Sequence, residues 1–222
     1  QRDALRIQLI FAYTLTENFG KAQAQGHALI KEASARTEDS AIAIALAKVA
    51  LARSYSKQNQ HDQALALLLA AEPVVIERFG AGHSRHVMLT GELLGVAFRK
   101  PDWPKALKYA EAVHSMIALK MGANHDQTHV ALTNWGLALY ESGDLQNAEV
   151  KLASAYQKLA LSQGAASIQT QDALYGLTCV SLELNQLDAA EKYLSALNVK
   201  TLVAARGDEN WLHAINALQA AM

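Results

Sequence analysis

The sequence predicts an all-α fold, a right-handed α-solenoid of about five antiparallel helix pairs with a C-terminal capping helix. Three observations predict it. The first is a register: Ala64, Ala106, Ala148 and Ala190 stand 42 residues apart. The second is what surrounds them. Asn59, Pro101, Gly143 and Asn185 lie five residues before, all turn formers or helix breakers. His61, Trp103, Leu145 and Leu187 lie three before, and Leu68, Ala110, Leu152 and Leu194 four after. A fixed period of this length marks a repeat that cannot bury its apolar face alone. The third is composition. Apolar residues make up 51% of the chain, aromatics only 6%, and there are three prolines, which favours helix throughout. No segment alternates as a half-buried strand would.

The elements follow from this frame. Residues 1–38 read as a degenerate opening pair, with Ala22 one period before Ala64 and Glu17 at the turn position. Four repeats follow, at 39–82, 83–124, 125–166 and 167–207. In the third, helix A runs from about Asp126 to Ser142, Gly143 and Asp144 make the turn, and helix B runs from about Leu145 to Ser162. Gly164 then serves as a C-cap. Residues 208–222 read as a single capping helix, begun by Asp208 and carrying Trp211, Leu212, Ile215 and Leu218 over the last apolar edge. The whole of 1–222 is thus expected to be one repeat domain with no linker. At the helix crossings Ala148 is a packing residue, and Lys151 is expected to be exposed.

Charge and hydropathy narrow the function classes. The formal net charge is −1, so neither direct nucleic-acid binding nor attraction to anionic lipid is expected. The longest apolar run, Ala64 to Ala71, is eight residues, against roughly 20 for a bilayer span, so membrane insertion is not expected. Cys179 is the only cysteine, which leaves the compartment open; a cytoplasmic and a periplasmic region both fit. A chain that opens with Gln1 inside a helical pattern reads as a piece of something longer.

The best repeat reads Leu132-x-x-Trp135-Gly136-x-x-Leu139 in helix A and Gly143-x-Leu145-x-x-Ala148-x-x-x-Leu152-x-x-Ala155 in helix B. This resembles the tetratricopeptide repeat. The connectors Gly80-Ala-Gly-His83 and Gly122-Ala-Asn-His125-Asp-Gln-Thr128 are similar to the Gly-x-x-His-Pro-x-Thr connector of its kinesin-light-chain-type variant, with Ser84 and Asp126 in place of the proline. The resemblance implies longer helices, a 42-residue repeat and a place in bacterial signalling and transcription regulators.

Catalysis finds no support. His83 and His86, and His125 and His129, have spacings that could share a helix face, but His83 and His125 occupy the same connector slot one period apart. Both are read as turn caps rather than metal ligands, and no cofactor is expected. Cys179 lies among Leu177, Val180 and Leu182 without a protease signature and is read as a small buried hydrophobe. Trp103 and Trp135 occupy packing slots, so no aromatic cage is invoked.

The resemblance also implies where a ligand would sit. In this family helix A lines a concave groove, and its non-packing positions here are Arg53, Lys57, Glu92, Arg99, Thr133, Asn134, Tyr140, Glu141, Tyr175 and Glu183. Asn134 matches the second Asn of an Asn-Asn-Leu run able to hydrogen-bond a peptide backbone. Ala50, Glu92 and Gly176 stand at the equivalent positions, so the asparagine ladder is not repeated. Arg53, Lys57 and Arg99 could together meet an acidic segment. The chain is therefore read as a non-enzymatic docking module for a protein or peptide partner. The alternative is a sensor of a small molecule or signal peptide controlling an attached output domain. A third reading is self-association, with a homodimer held through the terminal helix and Trp211.

Overall fold

In the computed structural model, residues 2–36 and 40–206 are described, together with Ala217 and Ala220. They form eleven helices and no strand. The expected capping helix at 208–222, with Trp211, lies outside the described residues. The chain divides into two compact units, residues 1–109 and 110–222. Unit 1 contains α1 (Arg2–Leu15), α2 (Phe19–Ser34), α3 (Ala41–Lys57), α4 (His61–Phe79), α5 (Ser84–Arg99) and the start of α6 (Trp103–Met121). Unit 2 contains the rest of α6, then α7 (Asp126–Glu141), α8 (Leu145–Gln163), α9 (Ile168–Glu183), α10 (Leu187–Ala196) and α11 (Val199–Arg206).

The 42-residue register is a register of backbone geometry. Glu17, Asn59, Pro101, Gly143 and Asn185 all have positive φ, from 25° at Pro101 to 86° at Gly143. Each lies in a turn where an amide reaches back five residues: Asn18 to Tyr13, Gln60 to Tyr55, Asp102 to Ala97, Asp144 to Leu139 and Gln186 to Ser181. This bond satisfies a carbonyl left over at the end of helix A, and it requires one left-handed residue. The landmark alanines come next. The amides of Ala22, Ala64, Ala106, Ala148 and Ala190 close the first turn of each B helix on the residue four before. All five side chains are completely buried.

The connectors repeat as well. Gly80, Gly122 and Gly164 have φ of 86°, 95° and 85°. His83 and His125 then cap the next A helix through Nδ1, which accepts from the amides of Arg85 and Gln127 at 3.2 and 3.1 Å. Ser167 does the same through its hydroxyl. Thr128 and Thr170 donate to the carbonyls of Gly122 and Gly164 at 2.8 and 2.9 Å, which ties each loop to the helix it starts. The histidine period thus reflects turn chemistry.

Within each unit the A helices pack on one another, α1 on α3 on α5 and α7 on α9, while α2 and α4 share no comparable packing. Small residues allow close crossings. A β-carbon added at Gly176 would fall 2.9 Å from Leu137 Cδ2 and 3.0 Å from Leu152 Cδ1.

Two expectations are corrected. Lys151 is half-buried, with its ammonium 4.1 Å from the centre of the Trp135 ring; the ring face attracts the cation and folds the side chain down. The fourth repeat, expected at 167–207 as one antiparallel helix pair, holds three helices, its second part dividing into α10 and α11. Leu197 turns extended and is buried with Leu202 against Leu174. Asn198 Oδ1 caps the new helix at the Thr201 amide, 3.1 Å away. Gln171 accepts from the Asn198 amide while donating to the Ala165 carbonyl at 2.7 Å.

Candidate functional site

The A-helix wall of unit 1 gathers four of the expected residues. Arg53 on α3 lies 3.5 Å from the Glu92 carboxylate on α5. Its guanidinium also stands 6.0 Å from the centre of the Phe11 ring on α1. Arg99, at the end of α5, donates to the Gly95 carbonyl at 3.0 Å and to the Ser56 hydroxyl at 3.4 Å. Burial pushes the Glu92 carboxyl above the usual carboxylate range, and the positive charges of Arg53, Arg99 and Lys57 pull it back. One acid therefore sits among three bases drawn from two repeats. The surplus is positive, and Lys57 and Arg99 are exposed with no carboxylate in salt-bridge contact among the described residues.

Next to these residues on the same helices is a half-open cleft of about 430 Å³. Ile7 and Phe11 of α1, Ile42 and Leu46 of α3 and Met88 of α5 line it, with Gln8, Ser84 and Arg85 as its polar members. Arg85 lies 5.2 Å from the Phe79 ring centre. Sequence reading missed this cleft because α1 belongs to the degenerate opening pair, whose groove positions do not follow the repeat.

Unit 2 holds the other expected residues. Asn134 on α7 is half-buried, and its amide has no hydrogen-bond partner among the described residues. Tyr140 on α7 and Tyr175 on α9 collect around the buried Cys179. Burial pushes the Tyr140 hydroxyl up to about 12 and the Cys179 thiol up to about 11. Tyr175, hydrogen-bonded to that thiol, is pushed up as well, mainly by burial. All three stay neutral at physiological pH, and a thiol held protonated is a poor nucleophile. Tyr175 also packs against the Leu174–Leu197–Leu202 cluster. It serves the interior as much as the wall.

The aromatic and imidazole side chains are similarly occupied. Trp103 meets Phe98 edge-on at 6.2 Å, and Trp135 meets His114 at 5.4 Å. No group of three side chains able to hold a metal occurs among the described residues. No helix among the described residues is long and apolar enough to cross a membrane.

The net charge of −1 conceals a division. Residues 1–109 contain fourteen Lys and Arg against ten Asp and Glu, whereas residues 110–222 contain six against eleven. On the A helices it is sharper. α3 and α5 carry Lys48, Arg53, Lys57, Arg85 and Arg99 against Glu92, while α7 and α9 carry Asp126, Glu141, Asp172 and Glu183 with no Lys or Arg. Counting charge half by half would have found this in the sequence.

Known structures share this architecture. The nearly identical TPR-like repeats of a kinesin light chain candidate from Podosopora anserina superpose with a TM-score of 0.76 at 14% identity, over 93% of this chain and 98% of that one. BtubC (BKLC) from P. vanneervenii superposes with a TM-score of 0.73 at 17% identity, over 90% of this chain and 80% of that one. No protein-family model and no curated protein matches the chain. The chain has a TPR-like helical repeat fold, as the Leu132–Ala155 motif led us to expect.

Proposed function

We propose that the chain is a non-catalytic docking module whose unit 1 A-helix wall holds an acidic segment of a protein partner. The convergence of Arg53, Lys57 and Arg99 on the single Glu92 carries this reading. Charge-assisted hydrogen bonds to incoming carboxylates are stronger than neutral ones, and the neighbouring cleft offers apolar surface for a side chain of the same segment. In a longer polypeptide, such a module would bring an attached domain to its partner.

The test uses a short fluorescent polyglutamate peptide as probe, followed by anisotropy at low and high salt. Wild type should bind, and affinity should fall with salt because exposed charges are screened over about 8–10 Å. Arg53→Glu with Arg99→Glu should weaken binding at least about tenfold while circular dichroism and melting show the fold intact. Binding indifferent to both reversals overturns the reading.

The same cleft supports a second reading, a sensor for a small apolar ligand. A volume of about 430 Å³ lies within the range of small-molecule sites, roughly 300–1,000 Å³. Ligand binding there would act on an output domain by biasing the packing of α1 on α3. Met88→Trp, which fills the cleft, should abolish binding of a small apolar probe dye and leave polyglutamate binding unchanged. Dye binding insensitive to this change removes the second reading.

A further inference from the structure

The cleft of unit 1 is lined mainly by apolar side chains and carries one charge. Ile7, Phe11, Ile42, Leu46 and Met88 supply the apolar lining, and Arg85 is the only charged side chain among the nine residues that border it. The Arg85 guanidinium stands 5.2 Å from the centre of the Phe79 ring, which is itself stacked on His83 at 4.8 Å. The ring holds the cation in place without neutralising it. No carboxylate lies in salt-bridge contact with Arg85 among the described residues; Glu72, on the same helix as Phe79, lies 3.9 Å from His86 instead. The walls limit what can enter. All three are helices, whose carbonyls are bonded within their own turns. The N–H groups of a peptide main chain would find no acceptor there beyond the side chains of Gln8 and Ser84, both exposed, and unpaired they would oppose entry. A hydrocarbon chain has no such groups to satisfy.

We propose that this cleft binds a free aliphatic monocarboxylate, with the hydrocarbon chain along Phe11, Leu46 and Met88 and the carboxylate on Arg85. A guanidinium fork takes a carboxylate through two parallel hydrogen bonds, and the Ser84 hydroxyl, one residue away, is placed to give a third. Burial of the chain supplies affinity, while the unneutralised Arg85 selects an anion over a neutral or positive head. The proposal rests on the sensor reading of the cleft, whose ligand it names. It does not draw on Lys57 and Arg99, which stand eleven residues beyond Leu46 and Met88 on α3 and α5, roughly 16 Å further along the helices.

Titration calorimetry with octanoate tests it, with 1-octanol, octylamine and acetate as comparisons. Wild type should bind octanoate about tenfold or more tighter than octanol, and neither octylamine nor acetate. Arg85→Gln should erase the preference for octanoate and leave octanol binding as it was, and Arg85→Glu should turn the preference to octylamine. Met88→Trp should abolish binding of octanoate and octanol together. Lys57→Glu with Arg99→Glu should leave octanoate binding unchanged. Arg85 is exposed, so its variants should melt as wild type does. Equal affinity for octanoate and octanol, or octanoate binding indifferent to Arg85→Gln, overturns the proposal while Met88-sensitive octanol binding leaves the sensor reading standing. Absence of binding by octanoate, octanol and the apolar dye overturns both. A short apolar peptide with a free terminal carboxylate that binds tighter than octanoate also overturns the proposal, by assigning the cleft to a chain end.

Discussion

Leu152 of α8 lies directly over Gly136 of α7: a β-carbon at position 136 would fall 2.6 Å from its Cγ. Leu152 is completely buried, and its branch point has no room to retreat. Gly136→Ala should therefore destabilise unit 2 by about 1–3 kcal/mol through overpacking. Gly91, in the middle of α5, has open space where its β-carbon would go. Gly91→Ala should stabilise by roughly 0.5–1 kcal/mol, through helix propensity alone. Urea midpoints shifting in the same direction for the two variants would refute this account of the crossing.

Pro101 is the residue least suited to its place. Its ring favours φ near −65°, yet the turn between α5 and α6 holds it at +25°. The equivalent positions carry Glu17, Asn59, Gly143 and Asn185. Pro101→Asn should raise stability by about 1 kcal/mol, because asparagine tolerates the left-handed region. A fall in melting temperature would show that the ring makes contacts worth more than the strain.

His125 works as an N-cap, so its replacement should follow capping rules. His125→Ala should cost about 1 kcal/mol. His125→Ser, borrowing the residue that the next repeat uses at Ser167, should recover most of it. Chelator should leave all three melting curves unchanged. A chelator-dependent loss in wild type, absent from the alanine variant, would instead assign His125 to a metal.

Acid should weaken the fold through three imidazoles. Burial holds His61, His114 and His129 below the ordinary histidine range. Positive neighbours add to this: Arg99 and Lys100 at His61, Lys151 at His114, and Lys158 at His129. Asp62 at His61 and Asp126 at His129 oppose it. A base whose folded pKa is depressed contributes stability that is complete above its unfolded value, about 6.5. That stability is lost as pH falls through the lower folded value. Urea midpoints should drop between pH 7 and pH 5, and His114→Gln with His129→Gln should flatten the slope. An equal slope in the double variant would place the acid sensitivity elsewhere.

The fold was legible because its signals are local. A left-handed turn, a buried alanine and a capping side chain each leave a residue signature, and the period aligns them from Glu17 to Asn185. What escaped depended on neighbours in space. Lys151 reads as a surface lysine until Trp135 is beneath it, and the break at Leu197 depends on Gln171, far back in the chain. Of the candidate site, Arg53, Lys57 and Arg99 gather around Glu92 from two A helices that the repeat frame picks out. The cleft beside them needs Phe11 and Ile7 of a helix whose repeat pattern is degraded. Tyr175 was expected on the wall, but the folding of α11 back onto α9 draws it partly into the interior.

The packing of the A helices has a mechanical corollary. Among the described residues of each unit, a helix packs chiefly on its chain neighbours or on the helix two further on. Within either unit, no more distant pair of described helices packs to that extent. Tension applied across a unit would meet, among its described residues, no clamp of the kind that parallel strands provide, and would peel that unit one helix pair at a time. Each released repeat would lengthen the tether by about 14 nm, from 42 residues at roughly 3.4 Å apiece. A force record of this chain should therefore be a staircase of low, nearly equal steps, in which a refolding pair need find only its immediate neighbour.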